Sequence, residues 1–208
     1  AEDAYGNTWD VTANATFSID AAAGGSWADN VYTSETAGDW TVNATHGDRS
    51  ATATLHVIEG QISNIALTPA EETVAAGERV TYTVSAEDAY GNTWDVTAQA
   101  GFDIDDNAGG NWAGNVYTSE SAGDWTVSAI YGALSTTATL HVTHGDATGL
   151  ALSPDPATVT AGQSVTYQAH AEDAYGNTWD VTAETSFAID AAAGGNWDDN
   201  VYTSESAG

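Results

Sequence analysis

Residues 79–97 read RVTYTVSAEDAYGNTWDVT, from Arg79 to Thr97. Val80, Tyr82, Val84 and Ala86 alternate with Thr81, Thr83 and Ser85, the period-two pattern of a strand with one buried face. Ala89-Tyr90-Gly91-Asn92 follows as a turn, since glycine and asparagine both tolerate positive φ. Trp94-Asp95-Val96-Thr97 then opens the next strand. The same lettering extends this local unit to the whole chain. AEDAYGNTWDVT starts at Ala1, again at Ala86 and again at Ala171, a period of 85 residues. Phe17, Phe102 and Phe187 keep that spacing, as do Trp27, Trp112 and Trp197, and copies of NVYTSE begin at Asn30, Asn115 and Asn200. Such a period exceeds that of ankyrin or leucine-rich solenoid units and matches one small β domain.

The rest of the unit reads the same way. Ile65-Ala66-Leu67-Thr68-Pro69 is a short edge strand stopped by proline, Thr73-Val74-Ala75 resumes it, and Ala76-Gly77-Glu78 turns the chain. Phe102-Asp103-Ile104-Asp105 alternates apolar with acidic, Asp106–Gly110 is a loop, and Asn115-Val116-Tyr117-Thr118 is a short strand. Trp125–Ala129 alternates again and Leu134–Val142 closes the unit. Roughly seven short strands, with no helical periodicity, specify an all-β fold of tandem immunoglobulin-like antiparallel β-sandwiches in an extended array. Residues 61–142 form the complete repeat. Residues 1–58 are a partial repeat without the first strands, and residues 149–208 are one without the last strands. The short linkers Ile58–Gln61 and Thr143–Gly149 imply a rod of limited bending. Val80, Tyr82, Val84, Ile104, Val127 and Leu140 are the expected core.

Thirty acidic residues stand against two basic ones, Arg49 and Arg79, for a net charge of −28. That balance excludes nucleic acid, whose phosphates need clustered Lys and Arg, and argues against anionic membrane surfaces. It suits a hydrated exterior, divalent cations or a salty medium. With no cysteine there is no disulfide and no thiolate metal site. With no lysine there is no Lys–Asn isopeptide bond and no Schiff-base chemistry. No apolar run approaches the ~20 residues of a membrane span. Hydrophobic residues at 42% and aromatic ones at 10% are enough to build real cores despite the charge.

The pattern LTPA…TVAAGE.VTYTV.A.DAYGN.WDVT…F.ID…GG.W…VYTSE.AGDWTV.A.YG…ATLHV resembles the immunoglobulin-like tandem repeats of giant bacterial and archaeal cell-surface proteins, such as invasin-like and other adhesin stalks. The AGE.VTYTV strand, the D.YGN turn and the AGDWTV.A strand carry the likeness, which covers the whole chain. The resemblance implies an extracellular or cell-surface address. It implies a non-enzymatic structural repeat region of a stalk, surface layer or extracellular filament, with an adhesin that binds a glycan or protein ligand as the alternative. The implied partners are other copies of the same repeat or chain, and glycans or host and cell-surface proteins.

The acidic turn is the most suggestive motif. Asp88, Asn92 and Asp95 lie within eight residues, and their counterparts are Asp3, Asn7 and Asp10, and Asp173, Asn177 and Asp180. Hard cations such as Ca²⁺ take oxygen ligands of these types. Asp and Asn also occupy turns for purely local hydrogen bonds, and the spacing is not that of an EF-hand. Both readings stand at this level, and no other cofactor is indicated. Asp103, Asp105 and Asp106 fit a glycosidase-type carboxylate pair by residue type only. His56 and His141 match between copies, His46, His144 and His170 do not, and the sequence shows neither a nucleophile elbow nor an evident His–Asp pair. No catalytic residue is therefore assigned. The repeated tryptophans serve either as core or as sugar-stacking faces. Asn14-Ala15-Thr16 and Asn43-Ala44-Thr45 fit the N-glycosylation sequon, which the other copies lack.

Overall fold

In the computed structural model, which describes residues 1–206, every regular element is a strand or a single 3₁₀ turn. The first repeat contributes β1 (Thr16–Ile19), β2 (Ser26–Ala28), β3 (Val31–Thr33), β4 (Gly38–His46) and β5 (Arg49–Val57). The middle repeat contributes β6 (Ile62–Thr68), β7 (Glu71–Ala75), β8 (Arg79–Thr81), β9 (Thr83–Asp88), β10 (Thr93–Asp95), β11 (Gly101–Ile104), β12 (Asn111–Ala113), β13 (Val116–Thr118), β14 (Gly123–Tyr131) and β15 (Leu134–Thr143). The third contributes β16 (Ala147–Ser153), β17 (Ser164–Thr166), β18 (Gln168–Asp173), β19 (Thr178–Asp180), β20 (Asn196–Asp198) and β21 (Val201–Thr203). These make small sheets in the orders β1-β4-β5, β2-β3, β10-β9-β6, β11-β14-β15-β7, β12-β13-β8, β16-β18-β19 and β17-β21-β20. The chain is all-β and of antiparallel sandwich type, with β7 joining β15 as a parallel edge strand.

Packing divides the chain into two compact units. One is Ala1–Ala66 with Val84–Ala100 and Tyr131–Thr136, and the other is Leu67–Thr83 with Gly101–Ile130 and Thr137–Gly208. The division runs through residues 61–142, so the compact units do not follow the repeat boundaries. Of the expected third repeat, 149–208, the last two residues lie outside the described ones.

The middle repeat has ten short strands where about seven were expected, because two strands break as they change sheets and Trp112 adds a hairpin partner to β13. The alternating run from Val80 to Ala86 divides at Tyr82. Before it, Val80 lies opposite Tyr117 in β13, and after it Ala86 lies opposite Trp94 in β10. At the crossing, Tyr82 N–H donates to the Asn115 carbonyl at 2.9 Å, and Asn115 Nδ2 donates to the Tyr82 carbonyl at 2.6 Å. The amide side chain thus supplies the bond that the backbone loses when it leaves one ladder for another. Tyr167 and Asn200 repeat this at 2.9 and 2.6 Å.

Val80, Tyr82, Val84, Val127 and Leu140 are buried, as the alternation requires. Ile104 is only half-buried, because β11 is an edge strand with one flank open. In the second unit Trp112 stacks on Phe102 at 5.5 Å and meets Tyr117 at 5.0 Å and Tyr82 at 5.8 Å. Trp27 and Trp197 stack on Phe17 and Phe187 in the same way. A double-glycine loop closes over this cluster. Tyr117 Oη donates to the Gly109 carbonyl at 2.8 Å, and Gly110 N–H donates to Glu120 Oε2 at 2.7 Å. Gly110 has φ +68, and a Cβ there would stand 2.2 Å from the Thr118 carbonyl oxygen, so only glycine fits.

Candidate functional site: the joint between repeats

The Asp-x-Tyr-Gly-Asn turn is built by one carboxylate. Asp88 Oδ1 accepts the N–H groups of Tyr90 at 2.9 Å and Asn92 at 3.0 Å, while Oδ2 accepts Gly60 N–H at 2.7 Å and Asn92 Nδ2 at 2.8 Å. Asp88 is only 3% exposed. The Asn92 side-chain bond, with the three backbone donors, outweighs burial and brings its pKa down to about 2. Gly60 sits close beneath: a Cβ there would be 3.0 Å from Asp88 Oδ2.

Asn92 then reaches back to the preceding repeat within the first unit. Its Oδ1 accepts Ala37 N–H at 2.8 Å and its Nδ2 donates to the Glu35 carbonyl at 2.8 Å. The second unit repeats the arrangement. Asn177 Oδ1 accepts Ala122 N–H at 2.7 Å, and its Nδ2 donates to the Glu120 carbonyl at 2.9 Å and to Asp173 Oδ2 at 2.8 Å. Asp173 accepts Gly145 N–H at 2.7 Å, and Tyr175 and Asn177 N–H at 2.9 and 3.0 Å. Burial pushes the Asp173 carboxyl up, but these bonds together bring it down to about 2. Tyr175 also covers the Ala76-Gly77-Glu78 turn, where a Cβ on Gly77 would stand 2.3 Å from the tyrosine hydroxyl. In the first repeat Asp3 makes the same local bonds to Tyr5, Asn7 and the Asn7 amide, which lower its pKa.

The turn therefore brings Asp88 and Asn92 together and directs Asp95 elsewhere. Asp95 Oδ1 accepts Thr97 N–H at 2.7 Å, and Thr97 Oγ1 in turn accepts Val84 N–H at 2.8 Å. Asp10 and Asp180 hold Thr12 and Thr182 likewise, each at 2.8 Å. Among the described residues, no three His, Asp or Glu side chains converge to hold a metal ion. A cation at Asp88 or Asp173 would first have to displace four N–H donors from a carboxylate with about four acceptor positions.

A His–Asp pair that was not evident in the sequence is present. His141 Nδ1 meets Asp124 Oδ1 at 2.6 Å and Nε2 meets Glu71 Oε1 at 3.1 Å. The Asp124 bond first, then the Glu71 bond, raises the His141 pKa above its ordinary value. His56 pairs with Asp39 at the matching position of the first repeat. Asp103 and Asp106 are exposed, and Asp105 accepts Thr126 N–H at 2.7 Å, so these acids form no facing pair. His144 stacks on Trp179 at 3.6 Å. Trp125 Nε1 donates to the Ser121 carbonyl at 2.8 Å, Trp94 is half-buried, and Trp9 is 52% exposed. Asn14 is exposed at the end of the turn Thr12–Asn14, whereas Asn43 is half-buried in β4 opposite Ser18 and Thr52. The joint itself was hidden in the sequence. Its halves lie 55 and 57 residues apart, and its receiving side is backbone. The only sequence signal was the shared repetition of the YGN and SE-x-AG strings.

No family model and no curated protein matches the chain. Solved structures that resemble it include domains 4–9 of the surface layer protein SbsC, 21% identical over 99% of this chain and 37% of that one, with a TM-score of 0.30. The S-layer protein rSbsC(31-844) is 19% identical over 98% of this chain and 30% of that one, TM-score 0.35. The titin domains Z1Z2 in complex with telethonin are 16% identical over 52% of this chain and 62% of that one, TM-score 0.22. Among the described residues no helix is long and apolar enough to cross a membrane.

Proposed function

We propose that the chain is a structural repeat region of an extracellular surface layer, stalk or filament, whose work is to hold β repeats to one another in a fixed way. The observation that carries this reading is the joint. An aspartate–asparagine pair fastens each of two successive repeat contacts with the same bonds, to within 0.1 Å, at an 85-residue offset. Such a contact transmits position rather than chemistry. The surface charge of −28 keeps copies hydrated and mutually repelled until a specific contact overrides it. Immunogold labelling of intact source cells, followed by micrographs of the labelled material, tests the proposal. Label on an outer layer, thread or fibre is expected, and label confined to the cell interior would overturn it.

A further inference from the structure

We propose that His141 is a proton-operated clamp on strand β7 and, through β7, on the turn that receives the third repeat. All the groups concerned lie in the second unit. β7 is a five-residue edge strand held to β15 in parallel register, with Thr73 opposite His141 and Glu71 opposite Thr139. Its far end runs directly into the turn that receives the third repeat. Ala76 N–H donates to the Thr143 carbonyl at 2.9 Å, Gly77 N–H to the Ser119 carbonyl at 2.9 Å, and Ser119 Oγ to the Ala75 carbonyl at 2.8 Å. Ser119 is only 1% exposed. Tyr175 of the next repeat rests on this same turn at Gly77.

The near end of β7 has one side-chain tie, from Glu71 to the His141 ring. Two carboxylates face that ring, Asp124 from β14 and Glu71 from β7, while Thr139 and Thr143 flank it on β15 and Glu72 alternates to the opposite face. A protonated imidazole has two N–H donors, one for each carboxylate. A neutral ring has one. The shorter Asp124 contact keeps that proton, and the bare Nε2 lone pair then confronts the Glu71 carboxylate. Losing the proton thus turns an attraction at the start of β7 into a repulsion. The folded pKa is raised, so the clamp contributes fully below the ordinary histidine value of about 6.5 and is lost as pH rises through the raised value.

Amide exchange on the full chain between pH 6 and pH 9, corrected for intrinsic exchange, reads the clamp directly. Protection over Glu72–Ala75 and at Gly77 should fall by about two- to fivefold with rising pH, the range of a part-exposed ion pair. His141→Gln and Glu71→Gln should both remove that pH dependence while leaving the β9 amides unchanged. Flat protection in the parent, or the same fall in His141→Gln, would overturn the clamp. A fall in β7 with Gly77 unmoved would overturn its connection to the joint.

Discussion

Replacing Asn177 by alanine removes the side chain that spans the joint of the second unit. Its amide accepts from Ala122 N–H at 2.7 Å and donates to the Glu120 carbonyl at 2.9 Å and to Asp173 Oδ2 at 2.8 Å. The first two bonds are neutral and open to water, worth about 0.5–1 kcal/mol each, and the third has a charged acceptor and is worth about 1.5 kcal/mol. Water can re-solvate Ala122 and Glu120 after truncation, but Asp173 is 4% exposed and loses a donor it cannot fully replace. The cost should be about 2–3 kcal/mol, equivalent to about 30- to 150-fold in the equilibrium for opening the joint. Amide exchange at Gly145, whose N–H is bonded to the same Asp173 oxygen, measures that equilibrium locally and needs no assumption of two-state unfolding. Asn177→Asp should cost more than alanine, because it sets a second carboxylate where the amide now donates to Asp173. A Gly145 amide protected to within twofold of the parent in Asn177→Ala would refute the view that this side chain fastens the repeats.

Three further outcomes follow from the same geometry. Asp88 and Asp173 titrate near 2 when folded, below the ordinary aspartate value, so their stabilisation is present above about 3.9 and is lost as pH falls towards 2. The Ala37 and Ala122 amides should stay protected at about pH 3.5 and open at about pH 2, and Asn92→Ala, which removes the strongest cause of the lowered Asp88 pKa, should move the opening of the Gly60 amide to higher pH. Gly110→Ala should cost at least about 3 kcal/mol in denaturant unfolding, whereas Gly114→Ala, at φ +64 with nothing within 4 Å of the new Cβ, should cost about 1–2 kcal/mol. Calcium at matched ionic strength should leave thermal unfolding unchanged relative to chelator, since the Asp88 and Asp173 oxygens already hold four donors each. A calcium-dependent rise abolished by Asp173→Asn would show that a cation competes for that carboxylate.

The strands were legible because their information is local. Alternation from Val80 to Ala86 names the buried face without reference to anything distant, and that face is buried. What the alternation omits is the partner. Nothing within Val80–Ala86 says that the ladder changes sheets at Tyr82, since the residue that makes this possible, Asn115, lies 33 positions on. The acidic turn shows the same division. Its internal bonds, Asp88 to Tyr90 and Asn92, are those any Asx turn would make, so residue type suggested both a turn and a cation site. The contacts that distinguish its role go to Glu35, Ala37 and Gly60, and all three are made at backbone atoms, for which residue type carries no code. The His141–Asp124 contact was missed for a similar reason. It depends on the register of a hairpin whose strands place the two residues 17 apart, a spacing that looks unrelated on paper.

The receiving side of each joint is made of main-chain groups alone, the Glu35 carbonyl and Ala37 N–H or the Glu120 carbonyl and Ala122 N–H. Main-chain groups do not mutate. The residue between them has already diverged, Thr36 in one copy and Ser121 in the next, and the clasp is the same. A gene encoding near-identical 85-residue segments is prone to unequal crossing-over, which adds or removes whole copies. Here each of the two described sockets takes the same Asp-x-Tyr-Gly-Asn turn, so a gain or loss of one whole segment between them would leave the same clasp. Homologous chains should therefore differ more readily in the number of these segments than in the residues that join them.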